Sequence, residues 1–550
     1  MDQRTILAVF LSLTIYYGWI LFMGPPPEPE VEAPVVEAPV AAPQVAQPAP
    51  TSNAPVREVA FEACDLDAVI TTDGGGLQSA KLSSFKGPYA VTPLYSYVLG
   101  LVTGNGGEWV PYGQAEPNEE LVSDQALALS AGVGPAEKAE RVRYEVVSAS
   151  AKSVQLRGVL GNGYEIQQTW SEGREGDLCV VQVDTAWTNT GGSADLPLWL
   201  GMHDSFAPPG GMLSVYENNM RAMAFVDGGV EAGSWNGEGE DWEPVEAEGP
   251  LSWFALGDKF FGMIALAPEG AENAYFSHRQ GAEGMLAGVH WNAATSLPVG
   301  QTHKTSMRVY AGPFDVDVLA PVHDDLADVL DFGIFAFFAY PLLAALKFFQ
   351  GVLGNWGLAI IALTVLVKIL FFPLNQSALS SAEKMKKIQP LMNEIREKYK
   401  DNQQEQQRQT MELFKEHKVN PLGGCLPMFL QMPVFLALFW VLMYSVDLYQ
   451  TEFLYLKDLT APDPYCVLPT IVVVMMLIQQ QLTPMGNMDP AQARMMKLMP
   501  LMFGIFWFMF PSGLVVYYFV NTLLSILQQW WIRRTLAAAS DTPAAASTGT

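Results

Sequence analysis

One side chain in this sequence stands where its chemistry is costly. The run 356–375, WGLAIIALTVLVKILFFPLN, is apolar and has the length of about 20 residues that a helix needs to cross a bilayer. Lys368 lies within it, about 18 Å of helical rise from Trp356 and about 10 Å from Asn375. A lysine near the centre of a spanning helix costs roughly 2.5–3.5 kcal/mol on insertion scales. Thr364, four residues before it, and Asn375, seven after, fall on the same helix face. Two readings are open: a lysine that snorkels to the near interface, or part of a polar, water-holding surface inside the membrane.

The other apolar segments bear on that choice. Segments 422–445, 467–482, 497–510 and 512–532 contain no Asp or Glu, and neither does 356–375, so Lys368 has no acidic partner within any of them. Coupled transporters usually carry partnered ionisable groups at that depth. A cation without a counterion keeps its charge only where water reaches it. The side chains that could line a wet cavity are Thr364, Gln431, Tyr517, Tyr518 and Asn521. Ordinary helix–helix hydrogen bonding accounts for any one of them singly. Met428, Phe429, Met432 and Phe435, with Met499, Met502, Phe503, Phe506 and Met509, form Met- and Phe-rich faces. Such faces either meet lipid or adapt to varied apolar partners.

The elements that must position these groups follow from composition. The net charge of −26 excludes nucleic-acid recognition by the chain as a whole. It is concentrated in 24–330, which holds 14 Lys/Arg against 42 Asp/Glu. Residues 1–23 read as an uncleaved transmembrane anchor with Tyr16, Tyr17 and Trp19 at its end. Residues 24–55 are a Pro/Ala-rich linker that cannot build a core. From 56 to 328 the period changes to two, as in Val154 and Leu156 against Gln155 and Arg157, with turn pairs such as Asn162-Gly163 and Asp227-Gly228. That pattern predicts a large antiparallel β-sandwich. It contains no nucleotide loop, nucleophile elbow or metal-binding histidine motif, so a binding or structural domain is expected rather than an enzyme, with no cofactor and no metal. Cys64 and Cys179 could pair outside the cytoplasm, but their distance in sequence favours two free thiols.

Residues 329–353 are apolar but hold Pro341 and Lys347, and a helix lying at the membrane interface is expected. Segment 376–420 carries nine Lys/Arg and two apolar stripes, Met385, Ile388, Leu391 and Ile395, then Met411 and Phe414. It predicts a basic helical hairpin, cytoplasmic by the positive-inside rule. The loop 483–496 with Arg494 and a short tail, 536–550, fall on the same side, whereas the acidic loop 446–465 falls opposite. Six spans follow, with the N-terminus inside and the β domain outside.

The motifs Asn420-Pro421-Leu422-Gly423-Gly424-Cys425-Leu426-Pro427 with Gln431-Met432-Pro433, and Phe510-Pro511-Ser512-Gly513-Leu514 with Tyr517-Tyr518, resemble the YidC/Oxa/Alb family of membrane protein insertases. The anchor, linker and β domain resemble its Gram-negative type. The resemblance implies a polytopic α-helical membrane protein: a five-helix insertase core over 354–535, the N-terminal anchor, and an all-β periplasmic supersandwich. It implies a hydrophilic substrate groove at Lys368, Thr364, Tyr517, Tyr518 and Gln431, where family members usually carry Arg in place of Lys368. A hydrophobic slide is implied at Leu426, Pro427, Met432, Pro433, Phe503 and Phe506. The implied partners are nascent membrane proteins, the Sec translocase (SecYEG, SecDF), the lipid bilayer of the bacterial inner membrane, and a ribosome or signal-recognition receptor at the hairpin. A small-molecule transporter and a membrane-anchored β-domain receptor are the competing readings.

Overall fold

A computed structural model of the chain describes residues 55–86, 119–122, 130–134, 142–206, 221–232, 245–280, 285–330, 332, 335–400, 402–417, 426–482, 499–501 and 504–540. The expected anchor, nearly all of the linker, the loop 483–496 and residues 541–550 lie outside the described residues.

Period-two alternation builds two antiparallel sheets. Strands Glu58–Ala63, Leu66–Thr71, Leu77–Leu82 and Glu119–Val122 form the smaller. Among the described residues the larger has 13 strands, and Tyr164–Glu175, Leu178–Asn189, Thr302–Pro313, Phe261–Leu266 and Val245–Gly257 are bonded successively in it. Val154 and Leu156 point inward while Gln155 and Arg157 face out. Phe61, Ile70 and Leu77 of the small sheet share one core with Trp170, Val181 and Val183 of the large one. The architecture is a β-sandwich, as the alternation predicts. Strand Phe261–Leu266 departs from period two, with all six positions buried. One of its faces meets the sandwich core; Ile264 and Leu266 on the other share a second cluster with Leu319, Leu326 and Val329 of the segment after the last strand.

One buried side chain and one cross-link of the sandwich bear on its stability. The His290 ring stacks on Tyr275 at 5.1 Å between centroids and meets the edge of Trp199 at 6.1 Å. Among the described residues its Nδ1 is buried without a hydrogen-bond partner, and burial pushes the imidazole down to about 4. Cys64 and Cys179 form a disulfide between the two sheets, which corrects the expectation of free thiols. They are 115 residues apart in sequence, but the sheets bring their Cα atoms to 5.7 Å.

The helices follow. We label them α1 (Ala336–Leu353), α2 (Trp356–Leu370), α3 (Phe372–Lys398), α4 (Gln403–Glu416), α5 (Leu426–Tyr444), α6 (Val467–Leu482) and α7 (Ser512–Ser540). In α1 the buried residues Ala339, Leu343 and Leu346 form one helical stripe, with Phe337, Phe348 and Val352 exposed opposite. The stripe packs on Ile360 and Leu363 of α2 and on Ala437, Leu438 and Val441 of α5, continuous with Leu514, Val515 and Tyr517 of α7.

Three details differ from expectation. Among the described residues, α1 alone is long and apolar enough to cross a membrane by length and composition; 356–370, 431–444 and 467–482 are shorter apolar helices. The predicted run 356–375 is interrupted at Phe371, and Pro373 opens α3. Proline has no N–H to continue the helical ladder, so the chain breaks there. Lys368 therefore lies in the last turn of α2 rather than midway along an unbroken helix. In the hairpin, Ile388, Met392 and Leu413 form the buried contact with Met385, Ile395 and Phe414 packed around it. Leu391 and Met411, assigned to the stripes by spacing, are exposed because the four-residue step from Ile388 to Met392 defines the buried face.

The β domain and helices meet through specific side chains. Tyr449, in the loop after α5, packs against Phe260 and Phe261, and its hydroxyl donates to the Lys86 carbonyl at 3.1 Å. That loop is shaped by two buried carboxylates. Asp458 accepts from the backbone N–H and hydroxyl of Thr460, and Asp463 from the Tyr455 hydroxyl and the N–H groups of Tyr465 and Leu468. The backbone N–H groups of Ser512 and Gly513 donate to Ala461 and Leu459, which fixes the loop over the start of α7.

Candidate functional site

Helix α2 begins on Asn355, whose side chain accepts from the Leu358 N–H at 3.0 Å. Gly357 follows, and a Cβ there would lie 2.1 Å from the Phe453 ring, so only glycine lets the loop close over the helix. Ala359, Ile360, Leu363 and Val367 are buried against the bundle, which fixes the rotation of α2 and thereby the direction of Lys368.

The Lys368 Nζ donates to Ser525 Oγ on α7 at 2.7 Å. Ser525 Oγ donates in turn to the Asn521 carbonyl at 2.8 Å. The Asn521 side-chain oxygen accepts from Gln431 Nε2 of α5 at 3.2 Å. A partly buried polar chain therefore runs between the apolar helices from α5 through α7 to α2. No carboxylate pairs with Lys368 among the described residues.

The remaining predicted groove residues are placed unequally. Tyr517 is fully buried one turn before Asn521, beside the Phe435 ring at 6.2 Å. Tyr518 is half-buried and stacks on Trp507, with 3.9 Å between ring centroids. Thr364 is buried, and its hydroxyl donates at 2.6 Å to the Ile360 carbonyl in its own helix, so it stands outside the polar chain. Of the expected slide, Met432 is exposed, Pro433 and Phe506 are half-buried, Phe503 lies outside the described residues, and Leu426 and Pro427 are described by their helical backbone alone. Sequence reasoning missed Ser525. The signal was present: Tyr517, Asn521 and Ser525 recur every four residues and mark one face of α7. Among the described residues no cluster of three or more His, Cys, Asp or Glu could hold a metal ion.

An all-β sandwich joined to a bundle of apolar helices, with a lysine held between two helices by a neutral partner, is the class of architecture expected of a membrane protein with a large domain outside its apolar core. The description "60Kd inner membrane protein" matches residues 348–539, and "YidC periplasmic domain" matches 129–345. A membrane protein insertase YidC of Geobacter metallireducens is 33% identical over 98% of this chain and 99% of its own length. One of Geobacter sulfurreducens is 44% identical over 52% of this chain and 54% of its own length. A crystal structure of an active YidC insertase with its first transmembrane domain resolved aligns over 96% of this chain and 100% of its own, at 16% identity and a TM-score of 0.36. The chain belongs to the YidC family of membrane protein insertases.

Proposed function

We propose that this chain inserts integral membrane proteins and helps them fold, alone or with the Sec translocase, through a hydrophilic groove charged by Lys368. The observation that carries the reading is the Lys368–Ser525 contact: an ammonium among apolar helices whose partner is neutral. Among the described residues its charge is therefore not cancelled, and it can attract acidic residues of an incoming polar segment. The chain Gln431–Asn521–Ser525 supplies polar groups along the same route. Exposed Met432 and half-buried Phe506 offer apolar surface on which the substrate helix leaves toward lipid, and burial in lipid drives the step.

On this reading α1 lies at the membrane interface, α2, α5, α6, the segment 497–510 and α7 span the inner membrane, and the β domain is periplasmic. The N-terminus and the basic hairpin α3–α4 are cytoplasmic, and the hairpin is the surface for a ribosome or signal-recognition receptor. Insertion of a single-spanning substrate by Lys368→Ala, Lys368→Glu and Lys368→Arg proteins tests the groove charge. Arg should retain insertion, Ala should reduce it and Glu should reduce it further. Equal insertion by all three would remove the charge from the mechanism.

A further inference from the structure

The Lys368 side chain is a four-carbon stem with a compact ammonium, and by itself such a group samples many positions. Here it is held at one point, and the hydrogen-bond directions around that point are set. A serine hydroxyl has one proton and two lone pairs. The Ser525 proton is committed to the Asn521 carbonyl at 2.8 Å, so its oxygen can only accept from Lys368, at 2.7 Å. Asn521 is itself tied to Gln431 on α5, which couples the acceptor to a third helix. An ammonium has three protons, and among the described residues one of them is used.

We propose that Ser525 is a positioning residue for Lys368: it fixes the ammonium at the seam of α2 and α7 without neutralising it, and so leaves two N–H donors for a carboxylate of the incoming chain. This rests on the groove reading given above. A neutral acceptor is the chemistry that role requires. A carboxylate at position 525 would hold the lysine equally well but would cancel its field and compete with an acidic substrate. An apolar residue would leave the field but release the side chain.

The test uses the full-length protein in proteoliposomes and two matched single-spanning substrates, one with acidic residues in the translocated segment and one with neutral polar residues there. A hydrogen bond to a charged group commonly changes an equilibrium by about tenfold or more. Ser525→Ala and Ser525→Cys should therefore slow insertion of the acidic substrate by about tenfold, and that of the neutral one by less than about twofold. Ser525→Thr keeps the hydroxyl and should restore the acidic substrate. Ser525→Asp should lose the acidic substrate more completely than Ser525→Ala does. Equal losses for both substrates in Ser525→Ala, with recovery in Ser525→Thr, would assign Ser525 to packing and overturn the proposal. Full insertion of the acidic substrate by Ser525→Ala or Ser525→Asp would overturn it too. Lys368→Ala separates the two levels. If it discriminates between the substrates while Ser525→Ala does not, the groove reading stands and the role of Ser525 falls. If Lys368→Ala treats both substrates as the unchanged protein does, the groove reading itself falls.

Discussion

The Lys347 Nζ lies 3.1 Å from the Asp447 carboxylate, and the contact joins the helix leaving the β domain to the loop that follows α5. The same ammonium reaches Asp315 at 3.1 Å and Asp317 at 2.7 Å, both just after the last β-strand. One cation thus holds three segments that are remote in sequence. The Lys347, Asp315 and Asp447 side chains are each about one-fifth exposed, whereas Asp317 is largely exposed and adds less.

Removing this cation should weaken the joint. Lys347→Met leaves two partly buried carboxylates facing each other, and the expected cost is about 2 kcal/mol, below the 3–5 kcal/mol of a fully buried pair because solvent reaches the site. Thermal unfolding of the detergent-solubilised protein measures it. The double change Lys347→Met with Asp447→Asn should recover part of the loss. A purely additive result would show that the two residues are not coupled.

The buried imidazole of His290 should make the sandwich acid-sensitive. Its folded-state value is pushed down to about 4 by burial, from an ordinary value of 6.5. The unfolded chain therefore binds more protons between those values, and stability falls as pH drops through that window. The full loss approaches about 3 kcal/mol when pH reaches the folded value. Denaturation of the unchanged and His290→Phe proteins at pH 7.5 and pH 4.5 isolates this contribution from the many carboxylates. The variant should show a shallower fall; an identical pH dependence would exclude His290 as its source.

The Cys64–Cys179 bond closes a loop that includes nearly half of the sandwich. Its removal in Cys64→Ala/Cys179→Ala should cost about 2–5 kcal/mol, mainly by freeing the unfolded chain. Under denaturing conditions, maleimide labelling of the unchanged protein should reach Cys64 and Cys179 only after reduction. Labelling without reductant would contradict the bond.

Gly357 is a close-approach position. With Phe453 so near, Gly357→Val should push the loop off α2 and destabilise the helical bundle by about 1–3 kcal/mol. Gly357→Val with Phe453→Ala opens the space and should recover stability. A wild-type melting point for Gly357→Val alone would mean that the loop does not seat on the helix.

The alternation at Val154–Arg157 was enough to predict a sandwich, because a strand exposed on one face carries its own two-residue signature. Phe261–Leu266 carried no such signature, since a second layer covers its other face. In the hairpin, spacing found Ile388 but chose Leu391 over Met392. Both steps suit a helix, and only the partner helix selects one. At the candidate site Lys368, Gln431 and Tyr517 stood out as polar groups in apolar runs. Thr364 stood out equally, yet its hydroxyl is spent on its own helix. Ser525 was passed over because a small hydroxyl near the end of a long helix is unremarkable until a cation meets it.

Taken by itself, the order of residues determined the apolar runs, the alternating β region, the basic hairpin and the presence of a lysine without an acid in any apolar segment. These are local or compositional properties, carried by hydropathy and period. Tertiary structure alone decided that Cys64 meets Cys179, that Lys347 joins three acidic residues, and that the Lys368 ammonium rests on Ser525, 157 residues away. Each of those contacts depends on how sheets stack and helices rotate against one another. That geometry is set by packing the whole interior at once, and no short stretch of sequence contains it.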